Sequence, residues 1–104
     1  MENTLVPLGE VQKIIAKDFQ VEEVLPAPSN FNELKTKLVS IISFLLDQDM
    51  NRLLAIFYRI DLNEHQVNAI LSRTPVEKIP IQLAELVLER EMEKVKTRLN
   101  YKKG

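Results

Sequence analysis

The only histidine of the chain, His65, stands one helical turn after Asp61 and next to Glu64, with Tyr58 further back. An imidazole beside carboxylates can move a proton near neutral pH or ligate a transition metal. Neither use is well supplied here. Stable transition-metal sites draw on three or four strong ligands, and the chain has no second histidine and no cysteine. A histidine general base needs a nucleophile and an orienting group within reach. Ser40, Ser43 and Ser72 are available, but none lies in the Gly-x-Ser-x-Gly turn that would present it. Asp47, Asp49 and Asn51 copy the first three ligand positions of a calcium loop. That pattern then needs a glycine and a glutamate where this chain has Arg52 and Tyr58. Helix capping accounts better for the two aspartates.

Paired carboxylates such as Glu22 with Glu23, Glu85 with Glu89 and Glu89 with Glu93 have the right chemistry for acid–base work. On outward helix faces they serve solubility, and at i, i+4 they repel mildly, which calls for a basic neighbour such as Arg90. The absence of cysteine excludes disulfides, thiolate metal sites and thiol catalysis. The two glycines, Gly9 and Gly104, leave no glycine-rich phosphate loop. The residues therefore assign no catalytic group, no metal and no cofactor. A small enzyme with a site near His65, Asp61 and Tyr58 stays open, on condition that these groups converge in a buried polar pocket.

The elements that must position these groups are helices. With 104 residues and 45% hydrophobic content the chain is one domain's worth with one core. No segment alternates with a period of two, whereas several carry apolar residues three and four apart. The spacing predicts a helix over Leu8 to Phe19, burying Leu8, Val11, Ile15 and Phe19, with Lys13, Lys17 and Asp18 facing out. Pro26 and Pro28 break the chain, and Val24 and Leu25 are expected to tuck against the core. A second helix, Phe31 to Leu46, is capped from Ser29 or Asn30, and its broad apolar face predicts a central position. A third buries Met50, Leu53, Leu54, Phe57 and Ile60. Asp61 lies three residues before Glu64, the spacing of a capping box, and predicts a short fourth helix from Leu62 to Leu71. Val76 to Ile79 is ambiguous, and Pro80 opens a last helix that reaches Asn100. The third and fourth helices have the outline of a helix-turn-helix, but the fourth brings no lysine or arginine before Arg73 to meet phosphate.

The last helix changes character along its length. Its first half is apolar over a wide arc from Ile81 to Leu88, and its second half narrows to Leu88, Met92, Val95 and Leu99. Those spacings of four, three and four are a coiled-coil seam and predict an interface. Charge divides the chain as well. Arg90 to Gly104 holds six basic residues against Glu91 and Glu93, and the remainder holds eight against thirteen acidic, so +4 and −5 return the net −1. Cations near a helix C-terminus complement its dipole. They also offer Lys94, Lys96, Arg98, Lys102 and Lys103 to a nucleic acid, with Tyr101 among them. Glu85, Glu89, Glu91 and Glu93 argue against a membrane surface, and no apolar run approaches the ~20 residues a spanning helix needs.

The block from Arg52 to Val67, with its Arg-Leu-Leu and Tyr-Arg-Ile-Asp elements, precedes a helix reading Glu-Arg, Lys-Val and Thr-Arg within Ile81 to Arg98. This pairing resembles a group of short bacterial all-helical proteins that carry no assigned activity, over about the last half of the chain. The resemblance implies that Arg52, Arg59, Asp61, Arg90 and Arg98 belong to a shared polar or ion-pair surface. The sequence thus predicts an all-α, compact four- to five-helix bundle with a long C-terminal helix. It is expected to be cytoplasmic and non-enzymatic, an interaction or structural module that forms a homodimer or binds another protein. Nucleic-acid binding by the basic C-terminal helix is the alternative.

Overall fold

In the computed structural model, which describes residues 7–21 and 28–103 (the backbone alone for 101–103), short polar side chains set where the helices start. Helix α1 is Leu8–Phe19 and follows Pro7 with no side-chain cap. Helix α2, Phe31–Gln48, starts where Asn30 accepts the Glu33 N–H at 2.8 Å, while Glu33 accepts the Ser29 N–H at 2.8 Å. Asp49 closes α2 by donating its N–H to the Leu45 carbonyl, and it opens α3, Met50–Ile60, by accepting the Arg52 N–H. One residue makes the corner. Helix α4, Glu64–Arg73, is capped by Asn63, which accepts the Gln66 N–H. This corrects the expectation that Asp61 caps it from a start at Leu62. Asp61 instead ends α3 in the left-handed region at φ 68°, its N–H on the Tyr58 carbonyl and the Leu62 N–H on that of Phe57. α1 ends the same way at Gln20, φ 58°. Asp tolerates this conformation better than Gln does, because its short side chain bonds locally.

Val76–Lys78 forms one 3-10 turn, and α5 runs Ile79–Lys103. Pro80 falls in its first turn, where a missing N–H costs nothing. Twenty-five residues at ~1.5 Å each approach the molecule's 40 Å long axis. α5, rather than α2, is the axis of the bundle, since α1, α2, α3 and α4 all pack against it. α2 lies along α5 and α3 and buries Leu34, Leu38, Ile42 and Leu45 of its broad face, while Phe44 on the flank stays 65% exposed. Val24, Leu25 and Pro26 lie outside the described residues.

The core joins Val11, Ile15 and Phe19 of α1 to Leu34, Leu38 and Ile42 of α2, Leu53 and Ile60 of α3, and Leu83 and Val87 of α5. In α3, Ile56 is buried and Leu54 is 42% exposed, so the stripe is rotated from the one expected. The seam residues Leu88 and Val95 are core residues, and Met92 and Leu99 are half-buried against it. α1 lies along this stretch of α5 and takes up the apolar surface that the sequence left over.

Two substitutions test the local analysis. A Cβ on Gly9 meets nothing within 4 Å, so Gly9→Ala is expected to raise unfolding free energy by ~0.5–1 kcal/mol. Gln20→Gly is expected to do the same by relieving the left-handed residue, by ~0.5–1 kcal/mol in chemical denaturation.

Candidate functional site

The face that α1 and α5 build together gathers charged side chains from both helices. An open groove of about 760 Å³ runs between them. Lys13 and Lys17 of α1 stand on one wall and Arg90, Lys94 and Arg98 of α5 on the other, five cations against the carboxylates of Glu10 and Asp18. Ile14 and Thr97 add less polar surface between them. Three of the cations, Lys13, Lys17 and Arg98, make no ion pair among the described residues.

Two acids lie beneath this groove. Glu91 is fully buried and Asp18 nearly so, although the sequence places both among solvated charges. Packing α1 against α5 brings their carboxyls together. Asp18 Oδ2 and both oxygens of Glu91 are buried and accept no hydrogen bond. Lys94 Nζ stands 3.5 Å from Glu91 Oε1 and 3.8 Å from Asp18 Oδ2, at ion-pair range. Loss of hydration, and the Asp18 carboxylate beside it, push the Glu91 carboxyl up to about 8, against a smaller opposing pull from Lys94. A proton on Glu91 would supply the donor that these acceptor-only oxygens lack, because a carboxylic acid carries one O–H. Arg59 of α3 secures the same corner by donating to the Asp18 backbone carbonyl at 2.9 Å, one of the carbonyls left over at the end of α1.

The other residues singled out by sequence are distributed around the molecule. Arg90 pairs with Asp61 at 3.6 Å and with Glu93 at 3.1 Å, which joins α5 to the end of α3. A hollow of about 270 Å³ there is lined by Asp61, Glu89, Arg90 and Glu93, so acids gather on the far side of Arg90 from the basic groove. Arg98 lines the groove, whereas Arg52 borders a separate apolar hollow with Phe19, Val21, Ile41 and Phe44. His65, Asp61 and Tyr58 do share a depression of about 600 Å³. All three are exposed, Tyr58 by 86%, so they form no enclosed polar pocket. Asp49 is engaged as a cap. Of the proposed nucleic-acid contacts, Lys94 and Arg98 line the groove and Lys96 is exposed. The side chains of Tyr101, Lys102 and Lys103 lie outside those described.

Sequence reasoning missed Glu91, Asp18 and the two α1 lysines. A signal for the acids was present: Glu91 falls four residues from both Val87 and Val95, on the buried stripe, and Asp18 falls three after Ile15. No sequence signal pairs Lys13 and Lys17 with α5, because that depends on which helices touch.

The buried acid makes folding depend on pH. Folded Glu91 holds its proton to about pH 8, whereas the unfolded chain releases it near the ordinary value of 4.5. The folded state binds more protons between these values, so this contribution to stability is present at low pH and is lost as pH rises. Glu91→Gln cannot ionise. Its stability relative to the wild type is expected to increase by ~2–4 kcal/mol between about pH 4 and about pH 9 in urea unfolding. An unchanged difference across that range would mean that Glu91 is ordinarily ionised.

Comparison with family models, with curated proteins and with solved structures finds no match for this chain.

Proposed function

We propose that the chain is a non-catalytic helical interaction module whose docking face is the α1–α5 groove, and that its partner is an acidic segment of another protein. The observation that carries this reading is the gathering of five cations, three of them without an ion pair among the described residues, in a chain of net charge −1. Charge concentrated that way costs self-repulsion in the free protein, and an anionic partner relieves it.

A protein segment fits better than a nucleic acid. Glu10 sits within the groove, and Asp61, Glu89 and Glu93 lie just beyond Arg90, so a long polyanion following α5 would run from cations onto acids. A short segment avoids them and can rest an apolar side chain near Ile14. Homodimerisation through the α5 seam is the less favoured reading, because Leu88 and Val95 are enclosed by the chain's own core and only Met92 and Leu99 remain half-buried. Catalysis near His65 lacks the enclosed pocket that would favour it.

Exposed ion pairs contribute ~0.2–1 kcal/mol each and are screened by salt, so the affinity should be modest and salt-sensitive. An N-acetylated peptide of glutamate and leucine is expected to bind in fluorescence anisotropy. The doubly substituted Lys13→Glu, Lys17→Glu protein is expected to bind it at least ~5-fold more weakly. Tighter binding of a single-stranded oligodeoxynucleotide of matched charge would overturn the reading in favour of nucleic acid. Sedimentation showing a dimer that binds no peptide would overturn it in favour of self-association.

A further inference from the structure

We propose that docking of an acidic segment in the α1–α5 groove is coupled to protonation of a site between Glu91 and Asp18 beneath Lys94, so that binding draws in a fraction of a proton from solvent at mildly alkaline pH. The inference rests on the preceding reading of the groove and adds its regulation. The geometry is a pair of buried carboxyls with three oxygens that accept no hydrogen bond, set under the wall of a basic groove that Asp18 and Lys94 themselves line. The charged groups around Glu91 come from three elements. α1 contributes Asp18, with Lys13 and Lys17 on the rim; α3 contributes Arg59, engaged on the Asp18 carbonyl; α5 contributes Lys94, with Arg90 and Arg98 along the groove. α2 and α4, which also pack on α5, add no charged group that acts on Glu91 among the described residues.

Protonation sets what the groove offers. With the proton in place, Asp18 and Lys94 balance each other, and Lys13, Lys17 and Arg98 face the groove with no ion pair among the described residues. When Glu91 ionises, the site gains a buried negative charge that holds Lys94 inward and repels an incoming carboxylate. The same repulsion acts in reverse, since binding and protonation must favour each other equally. A bound anion therefore keeps the proton on Glu91 to higher pH, a range close to neutrality because burial has already moved Glu91 there.

The test uses the full chain and the same N-acetylated glutamate–leucine peptide, whose blocked amine and carboxylates do not titrate above neutral pH. Affinity of the wild type is expected to fall ~5-fold between about pH 7 and about pH 9, the scale of one charge acting across several ångströms of protein. Calorimetry in buffers of different ionisation enthalpy should show net proton uptake on binding. Glu91→Gln should bind with a flat profile and no uptake. Asp18→Asn, which removes the neighbouring carboxylate, should move the midpoint to lower pH. Peptide binding with the same pH profile in wild type and Glu91→Gln would overturn the proton coupling and leave the groove as the docking face. No peptide binding at any pH would overturn both.

Discussion

The contact between α1 and the second half of α5 is the constraint on which the rest of this structure turns. It lies along the stretch of α5 from Arg90 to Arg98, on a helix that spans the molecule and whose Leu88 and Val95 belong to the core. α1 brings Val11, Ile15 and Phe19 into the same core as Leu88 and Val95. The contact also carries an electrostatic cost, because the stripe of each helix includes one carboxylic acid. Hydrophobic burial of several large side chains, at roughly 1.5–3 kcal/mol each, outweighs the burden of one displaced titration. The acids are thus held where neither would settle alone, and Lys94 and Arg59 are drawn to them.

The same contact explains why charge on this molecule is arranged by face rather than by segment. The C-terminal segment is basic, and its dipole position accounts for part of that. What makes a groove is the addition of Lys13 and Lys17 from a helix far away in sequence. Arg90 marks a boundary, with cations toward α1 and Asp61, Glu89 and Glu93 toward α3 and α4.

Much of the fold was legible in the amino-acid sequence because helix formation is largely a local matter. The spacing of Val11, Ile15 and Phe19 defines α1, and the Asn30 and Asp49 caps fall where short polar side chains precede apolar periodicity. Asp61 shows the limit of such reasoning. Its type and spacing suit an N-cap, but the backbone entering α4 uses Asn63, and Asp61 is taken up in the left-handed turn that ends α3. Capping-box spacing cannot distinguish these uses, since Asp serves both.

The sequence by itself determined the all-helical class, the helix order, a long last helix and most of the apolar stripes that had to be buried, because each follows from residues a few positions apart. Tertiary structure alone decided which stripe covers which. It made α5 the axis instead of α2, enclosed Val95, rotated the α3 stripe to favour Ile56 over Leu54, and brought Asp18 and Glu91 together under a basic groove. The physical reason is that apolar burial is not directional: many pairings of these stripes satisfy the periodicity, and only the packed shape of the whole chain selects one.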